Sequence, residues 1–320
     1  MPGTSSRTVA LITGVTGQDG TYLSRNLLER GYEVHGLVRP GDGADVADGI
    51  TTHACDLRDT TELSRLVHSL KPNQLYNLAG QTSVAASWDD PLATLETSGT
   101  PVGVLLEAAW QLQESEGLRV SVVQASSAEI FGHAAHTPQN EETPIAPVSP
   151  YGVAKALGHF LVGTYRQRGL HASSVILYNH ESPLRPPTFV TRKITQGAAR
   201  IAQGLESTLA LGNLDVQRDW GWAPDYVEAM RLAASHDTPG DYVIGTGVSH
   251  SVRDFVEAAF RASGITDWER HVEIDPAFVR PADPALQLAD SSRARSVLGW
   301  APTVDFEEIV KRMVEAEFSG

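Results

Sequence analysis

Tyr151 and Lys155 stand four residues apart in the stretch Pro150-Tyr151-Gly152-Val153-Ala154-Lys155. On a helix that spacing puts both side chains on one face. An ammonium beside a phenol favours the phenolate, which makes the tyrosine a usable base near neutral pH. The chain has only four lysines, the others being Lys71, Lys193 and Lys311, so the pairing is less easily accidental. Upstream lies a second chemical segment, Gln124-Ala125-Ser126-Ser127-Ala128-Glu129-Ile130-Phe131-Gly132, rich in hydroxyls and carrying one acid. Nearer the start, Thr13-Gly14-Val15-Thr16-Gly17-Gln18-Asp19-Gly20 sets three glycines between an apolar run and an amphipathic stretch. Glycines there let the backbone approach a pyrophosphate, which then sits over the N–H groups that open a helix. The plain alternatives are a crowded tight turn and a chance Tyr–Lys pair. Both weaken when the two patterns share one chain in this order.

The next apolar run ends Gly36-Leu37-Val38-Arg39. An NAD site places a carboxylate there for the ribose hydroxyls. A guanidinium instead suits the 2′-phosphate of NADP, so Arg39 points to that cofactor. Asp56-Leu57, after a third run, is placed to meet the adenine, and Arg58 either adds charge beside it or is a surface residue.

These residues need a scaffold, and the periodicity supplies one. Short apolar runs at Thr8–Thr13, Glu33–Val38, Thr52–Asp56, Gln74–Leu78, Val120–Ala125 and His171–Tyr178 predict strands. Helical patterns lie between them at Thr21–Glu29, Thr61–Leu70, Pro91–Gln113 (with a kink expected at Pro101) and Tyr151–Arg168. Strands alternating with helices imply a doubly wound parallel α/β sheet. After Tyr178 the rhythm changes. Pro183, Pro186 and Pro187 interrupt Ser182–Pro187, and helices follow near Lys193–Gln203, Asp225–Ala234, Val252–Ala262 and Asp305–Phe318. The division expected is a dinucleotide-binding domain over 1–178 and a smaller α/β substrate-binding domain over 179–320. Part of 212–246 is expected to return to the first domain.

The bulk numbers agree with a soluble enzyme. The chain has 320 residues, 25 Lys plus Arg against 39 Asp plus Glu, and a formal charge of -14. That balance argues against nucleic acid as a partner. No apolar stretch approaches the ~20 residues that span a bilayer, and Val9–Ile12 is too short for a signal peptide. Cys55 is the only cysteine, which excludes an internal disulfide and suits a reducing cytoplasm. The histidines show no metal-ligand spacing, so no metal is expected.

Taken together, the glycine turn, the Ser-rich segment and the Tyr–Lys pair resemble the extended short-chain dehydrogenase/reductase superfamily. Within it, Leu11–Gly20, Asn179-His180-Glu181-Ser182-Pro183, Thr188-Phe189-Val190-Thr191-Arg192-Lys193-Ile194-Thr195 and Gly212-Asn213-Leu214-Asp215 resemble the GDP-mannose 4,6-dehydratase family. So do Arg218-Asp219-Trp220-Gly221, Asp225–Met230, His250–Arg253 and Leu298-Gly299-Trp300, so that the likeness runs nearly the full length. It implies a Rossmann-type fold, an NADP cofactor and a GDP-hexose substrate. Tyr151 would take the C4 hydroxyl proton, Ser127 would hold O4, and Glu129 would take the C5 proton and help the C6 hydroxyl leave as water. The cofactor contacts it implies are Gly14, Thr16, Gly17, Gln18, Asp19, Gly20, Arg39, Asp56, Leu57, Leu78, Ala79, Tyr151, Lys155 and His180. Ser126, Asn179, Val190, Lys193, Arg218, Arg280 and Asp283 would line the GDP-sugar pocket, with Arg185 a further matched arginine. Gln81 and Ser87 are placed to touch sugar or phosphate. A homodimer is expected through the helices of Pro91–Gln113 and Tyr151–Arg168.

Four departures from the family pattern stand out. Pro40-Gly41-Asp42-Gly43 and a short connection to Thr52 replace a longer arm, which puts a tetramer in question. Leu184, Pro186 and Pro187 alter the loop over the pocket. Asp283 shortens a carboxylate, and Ala128 follows Ser127 where a serine is common. The sequence thus leaves open a dehydratase of another GDP-hexose, a GDP-4-keto-6-deoxymannose reductase or a nucleotide-sugar epimerase. A non-enzymatic NADP sensor is the reading from another class, and it conflicts with the intact Ser127, Tyr151 and Lys155.

Overall fold

The computed structural model describes residues 7–41, 45–278 and 284–319. The first half lays down β1 (Val9–Thr13), α1 (Gln18–Glu29), β2 (Glu33–Val38), β3 (Ile50–Ala54), α2 (Thr60–Leu70) and β4 (Gln74–Asn77). Helices α3 (Ala86–Asp89), α4 (Pro91–Ser98) and α5 (Thr100–Glu116) lead to β5 (Ser121–Ser127), α6 (Pro150–Gln167) and β6 (His171–Leu177). The second half contains β7 (Asn179–Glu181), α7 (Val190–Ala202), β8 (Leu209–Leu211), β9 (Gln217–Trp222), α8 (Ala223–Ser235) and β10 (Asp241–Ile244). It closes with β11 (Ser249–Ser251), α9 (Val252–Ala262), β12 (Val272–Ile274), β13 (Leu286–Gln287) and α10 (Phe306–Phe318).

Among the described residues, seven strands form one parallel sheet in the order β10-β6-β5-β4-β1-β2-β3. Its inner strands are buried along nearly their whole length, as runs such as Ala10-Leu11-Ile12 demand when helices cover both faces. The strand order reverses beside β1, which opens a crevice at the carboxyl ends of β1 and β4 where ligands enter such sheets. Helix α8 packs against α1, and β10 lies beside β6, so this part of the second half belongs to the large sheet. The rest forms a smaller lobe. Strand β9 pairs with β7, β11 and β13, β8 pairs with β12, and Ile194, Trp220, Phe255, Phe260, Ile309 and Met313 fill its core.

The expected kink at Pro101 is instead a full break at Gly99. Pro101 falls in the first turn of α5, where its missing N–H costs nothing. Gly99 sits so close to α6 that a Cβ would lie 3.0 Å from a Leu157 methyl. Helix α7 also starts earlier than expected, at Val190, and β3 ends at Ala54.

Candidate active site

The glycine turn is shaped by close approach. Gly14 has φ +71, and a Cβ there would press on the Ala79 backbone at 3.0 Å. A Cβ on Gly20 would lie 2.2 Å from the Gly14 carbonyl. No side chain caps α1, and its first helical bond joins the Thr21 N–H to the Gly17 carbonyl at 2.9 Å. The N–H groups of Gln18, Asp19 and Gly20 therefore point out of the helix start, as a pyrophosphate cradle requires. Arg39, Asp56 and Leu57 follow β2 and β3 at the same edge of the sheet. The Arg58 guanidinium forks onto Asp56 with bonds down to 2.6 Å, holding that carboxyl down to about 2.

The catalytic wall is the carboxyl end of β5 against the first turns of α6. Ser149 caps α6 by accepting the Gly152 N–H at 3.1 Å, and Pro150 presets the first turn. Gly152 is required here, since a Cβ would meet the Glu129 carbonyl at 2.7 Å. These constraints seat Tyr151 beside Ser127, whose hydroxyl acts to lower the pKa of the phenol. Lys155 is buried and donates to the Ala125 carbonyl at 2.8 Å. Behind it runs a buried polar chain. Gln124 Nε2 also donates to that carbonyl, Asn77 donates to Gln124 at 2.7 Å, and the Thr13 hydroxyl donates to Asn77 at 2.7 Å. The Thr13 oxygen in turn accepts the Leu78 and Ala79 N–H groups, which links the glycine turn to Lys155.

One expectation fails here. Burial pushes the Tyr151 phenol up to about 12, while the Ser127 bond and the Arg185 charge only partly oppose it. Burial also pulls Lys155 down to about 8. The ammonium sits 5.7 Å from the phenol ring centroid and is turned to a carbonyl, so Lys155 does not lower the tyrosine as the spacing predicts.

A cleft of about 700 Å³ lies between this wall and the smaller lobe. It brings together Asp19, Leu78, Ser126, Ser127, Glu129, Tyr151, Lys155, Asn179, His180, Val190, Lys193 and Arg218 among the residues expected from sequence. Arg185 joins them, ion-paired at 3.2 Å to buried Glu181 and stacked 3.8 Å over Phe189. Lys193 rests 3.5 Å above the Phe278 ring, and the Arg218 Nη1 donates to the Gln217 and Pro284 carbonyls. The Ser126 hydroxyl lines the cleft, buried and without a protein partner.

Other expected contacts have a different place. Ser87 is fully buried outside the cleft. Its hydroxyl donates to the Val84 carbonyl and accepts the Tyr151 N–H at 3.2 Å, so it seats the tyrosine rather than a sugar. Gln81 folds back to accept the Thr82 and Ser83 N–H groups, which closes its own loop. The Gln18 and Asp19 side chains turn to the strand after β6. Gln18 bonds the His180 carbonyl and the Ser182 hydroxyl, and Asp19 takes the His180 ring at 2.9 Å. The other His180 nitrogen bonds the Tyr178 carbonyl, so this ring joins the two lobes and has no nitrogen left for a cofactor. Arg280 and Asp283 lie outside the described residues. Asn77, Gln124 and Gln287 were missed by sequence reasoning, and only the fold reveals them. Among the described residues there is no cluster of His, Cys, Asp or Glu able to hold a metal, and no helix long and apolar enough to cross a membrane.

Comparison with known proteins adds to this geometry. A sequence profile described as "GDP-mannose 4,6 dehydratase" matches residues 11–313. GDP-mannose 4,6 dehydratase 1 of Arabidopsis thaliana is 43% identical over 97% of this chain and 90% of that protein. The Homo sapiens GDP-mannose 4,6 dehydratase is 41% identical over 97% of this chain and 91% of its own length. Among solved structures, the UDP-glucose 4-epimerase of Thermus thermophilus in complex with NAD superposes with a TM-score of 0.84 at 29% identity. That match covers 97% of this chain and 99% of the epimerase.

Proposed function

The chain belongs to the GDP-mannose 4,6-dehydratase family, and from that premise we propose that it converts GDP-mannose to GDP-4-keto-6-deoxymannose by an internal redox cycle. The observation that carries the reading is the Glu129 carboxylate in one cleft with the Tyr151–Ser127 pair. A C4 epimerase moves one hydride and needs no such acid, whereas eliminating water across C5 and C6 does. The choice of GDP-mannose over another GDP-hexose rests on the names of the relatives.

In this reading Tyr151 takes the proton of the C4 hydroxyl while Ser127 holds O4. When bound, a nicotinamide would supply a hydride acceptor for C4 and a hydride donor for C6. The C4 ketone acidifies the C5 proton, which Glu129 removes. The electron pair left at C5 forms the C5–C6 double bond, the C6–O bond breaks, and the proton on Glu129 leaves with the hydroxyl as water. C5 then regains a proton, balancing the one that Tyr151 took from O4. Burial raises the Tyr151 phenol to about 12 in this structure, and the cationic ring of a bound oxidised nicotinamide would favour its phenolate.

The cofactor is a nicotinamide dinucleotide, fitted by the cradle that Gly14 and Gly20 open and by the uncapped start of α1. We assign NADP to it, because Arg39 rather than a carboxylate follows β2. Asn179, Val190, Lys193 and Arg218 serve the nucleotide end, and Arg280 and Asp283 keep their proposed contacts to it. A homodimer through α4, α5 and α6 is supported by Val153, Leu157 and Phe160, which leave 46%, 40% and 58% of their surface exposed along α6. Leu92 on α4 adds to the same apolar surface, 72% exposed.

The test is mass spectrometry of purified protein incubated with GDP-mannose and catalytic NADP. The expected product is lighter by one water, with no net change in NADPH. An unchanged sugar, or NADPH consumed mole for mole with a keto-sugar, would contradict the assignment.

A further inference from the structure

Glu129 must present one carboxylate oxygen to a carbon-bound proton, yet it sits on a single turn after β5 at the end of a flexible side chain. Among the described residues its carboxylate has one hydrogen-bond donor. That donor is Gln287, whose Nε2 lies 3.0 Å from Glu129 Oε1 across 158 residues of sequence. Gln287 is 3% exposed, so its end of the bond is buried, while Glu129 is half-buried and faces the cleft. Its backbone is fixed on several sides. In β13 it pairs with Arg218 of β9, and the next residue, Leu288, exchanges N–H and carbonyl bonds with Gln139. Ala289 N–H then reaches Asp219, a fully buried carboxylate that also accepts the Thr246 and Gly247 N–H groups at 2.8 Å.

We propose that Gln287 is a positioning residue for the water-eliminating step: its amide holds Glu129 Oε1 and leaves Oε2 to take the C5 proton. A donor held this rigidly limits the carboxylate to one rotamer, and near a reacting carbon a small misplacement is costly. The bond also ties the acid/base group to the strand pair that carries Arg218, so the lobe serving the nucleotide fixes the geometry of the chemistry. Nothing in the local sequence of either residue signals this, because an isolated glutamine in a short strand reads as filler. The inference rests on the acid/base role given to Glu129 above.

The experiment compares Gln287→Met, Gln287→Glu and Glu129→Gln with the wild-type protein on GDP-mannose with NADP. Water loss is followed by mass, C4 oxidation by reduced-nicotinamide absorbance in a single turnover, and C5 chemistry by deuterium uptake from D2O. Methionine keeps the volume and removes the donor. The kcat for water loss is expected to fall about tenfold, with KM within about twofold and C4 oxidation preserved. Glutamate sets a like charge against Glu129 and is expected to cost about a hundredfold in C5 exchange. Wild-type C5 exchange in both Gln287 variants, while Glu129→Gln has lost it, would overturn the role of Gln287 alone. An equal loss of C4 oxidation and water elimination would overturn it too, since it marks a merely structural residue. Wild-type water loss by Glu129→Gln would instead remove the acid/base reading on which the inference stands.

Discussion

The two walls of the cleft are built on different principles. The sheet-side wall is assembled by neighbours, because parallel pairing places the ends of β1, β4 and β5 side by side and a buried Thr13–Asn77–Gln124 chain joins them to Lys155. The lobe-side wall is held by long reaches: Gln287 to Glu129 across 158 residues and Gln18 to the His180 carbonyl across 162. The first wall is rigid by topology and carries the groups proposed to react, Ser127, Tyr151 and Lys155. The second depends on a few side chains and carries the proposed ligand contacts, Lys193 and Arg218 among them. Chemistry and binding should therefore separate when each wall is mutated, except at Gln287, which reaches from the lobe to the acid of the other wall.

The largest expected effect breaks the sheet-side wall. Tyr151→Phe removes the proton acceptor while leaving the ring in place, and kcat should fall about a thousandfold with little change in KM. Lys193→Ala on the lobe side should do the reverse, raising KM for the GDP-sugar about tenfold while kcat stays near wild type. Steady-state kinetics on the two variants decides it, and parallel losses in both constants would erase the distinction.

A smaller effect concerns the seam. Burial lowers the His180 pKa, but the charge and hydrogen bond of Asp19 outweigh it and leave the imidazolium above its usual 6.5. Burial likewise raises Asp19, and the His180 charge and hydrogen bonds more than offset it, leaving the carboxyl below its usual 3.8. The histidine term is fully present below 6.5 and fades as pH rises through its raised value. The aspartate term is present above 3.8 and fades as pH falls through its lowered value. The pair should thus stabilise the seam most between those two pH values. In thermal melts Asp19→Asn should cost about 1 kcal/mol near pH 5 and less near pH 9. A penalty that grows with pH would contradict an ion pair here.

The contrast also sets what was legible. Gly14, Gly20 and the Tyr151–Lys155 spacing are local demands of a turn and a helix face, so they are visible in one stretch of chain. The alternation of strands and helices gave the parallel sheet for the same reason. Ser87 was misread because its hydroxyl serves the Tyr151 N–H, a partner 64 residues away. The Tyr151–Lys155 electrostatics were misread because spacing is silent about burial, which moves both groups. Asn77, Gln124 and Gln287 are amides whose meaning lies wholly in their partners, and those partners meet only in the folded chain.

The central claim is that Tyr151 opens the reaction and Glu129 alone carries it on to water loss. A single turnover of Glu129→Gln with GDP-mannose and bound NADP tests it most directly. Reduced nicotinamide is expected to accumulate and persist while the sugar loses no water. Water loss at the wild-type rate, or no reduction of the cofactor at all, would contradict it.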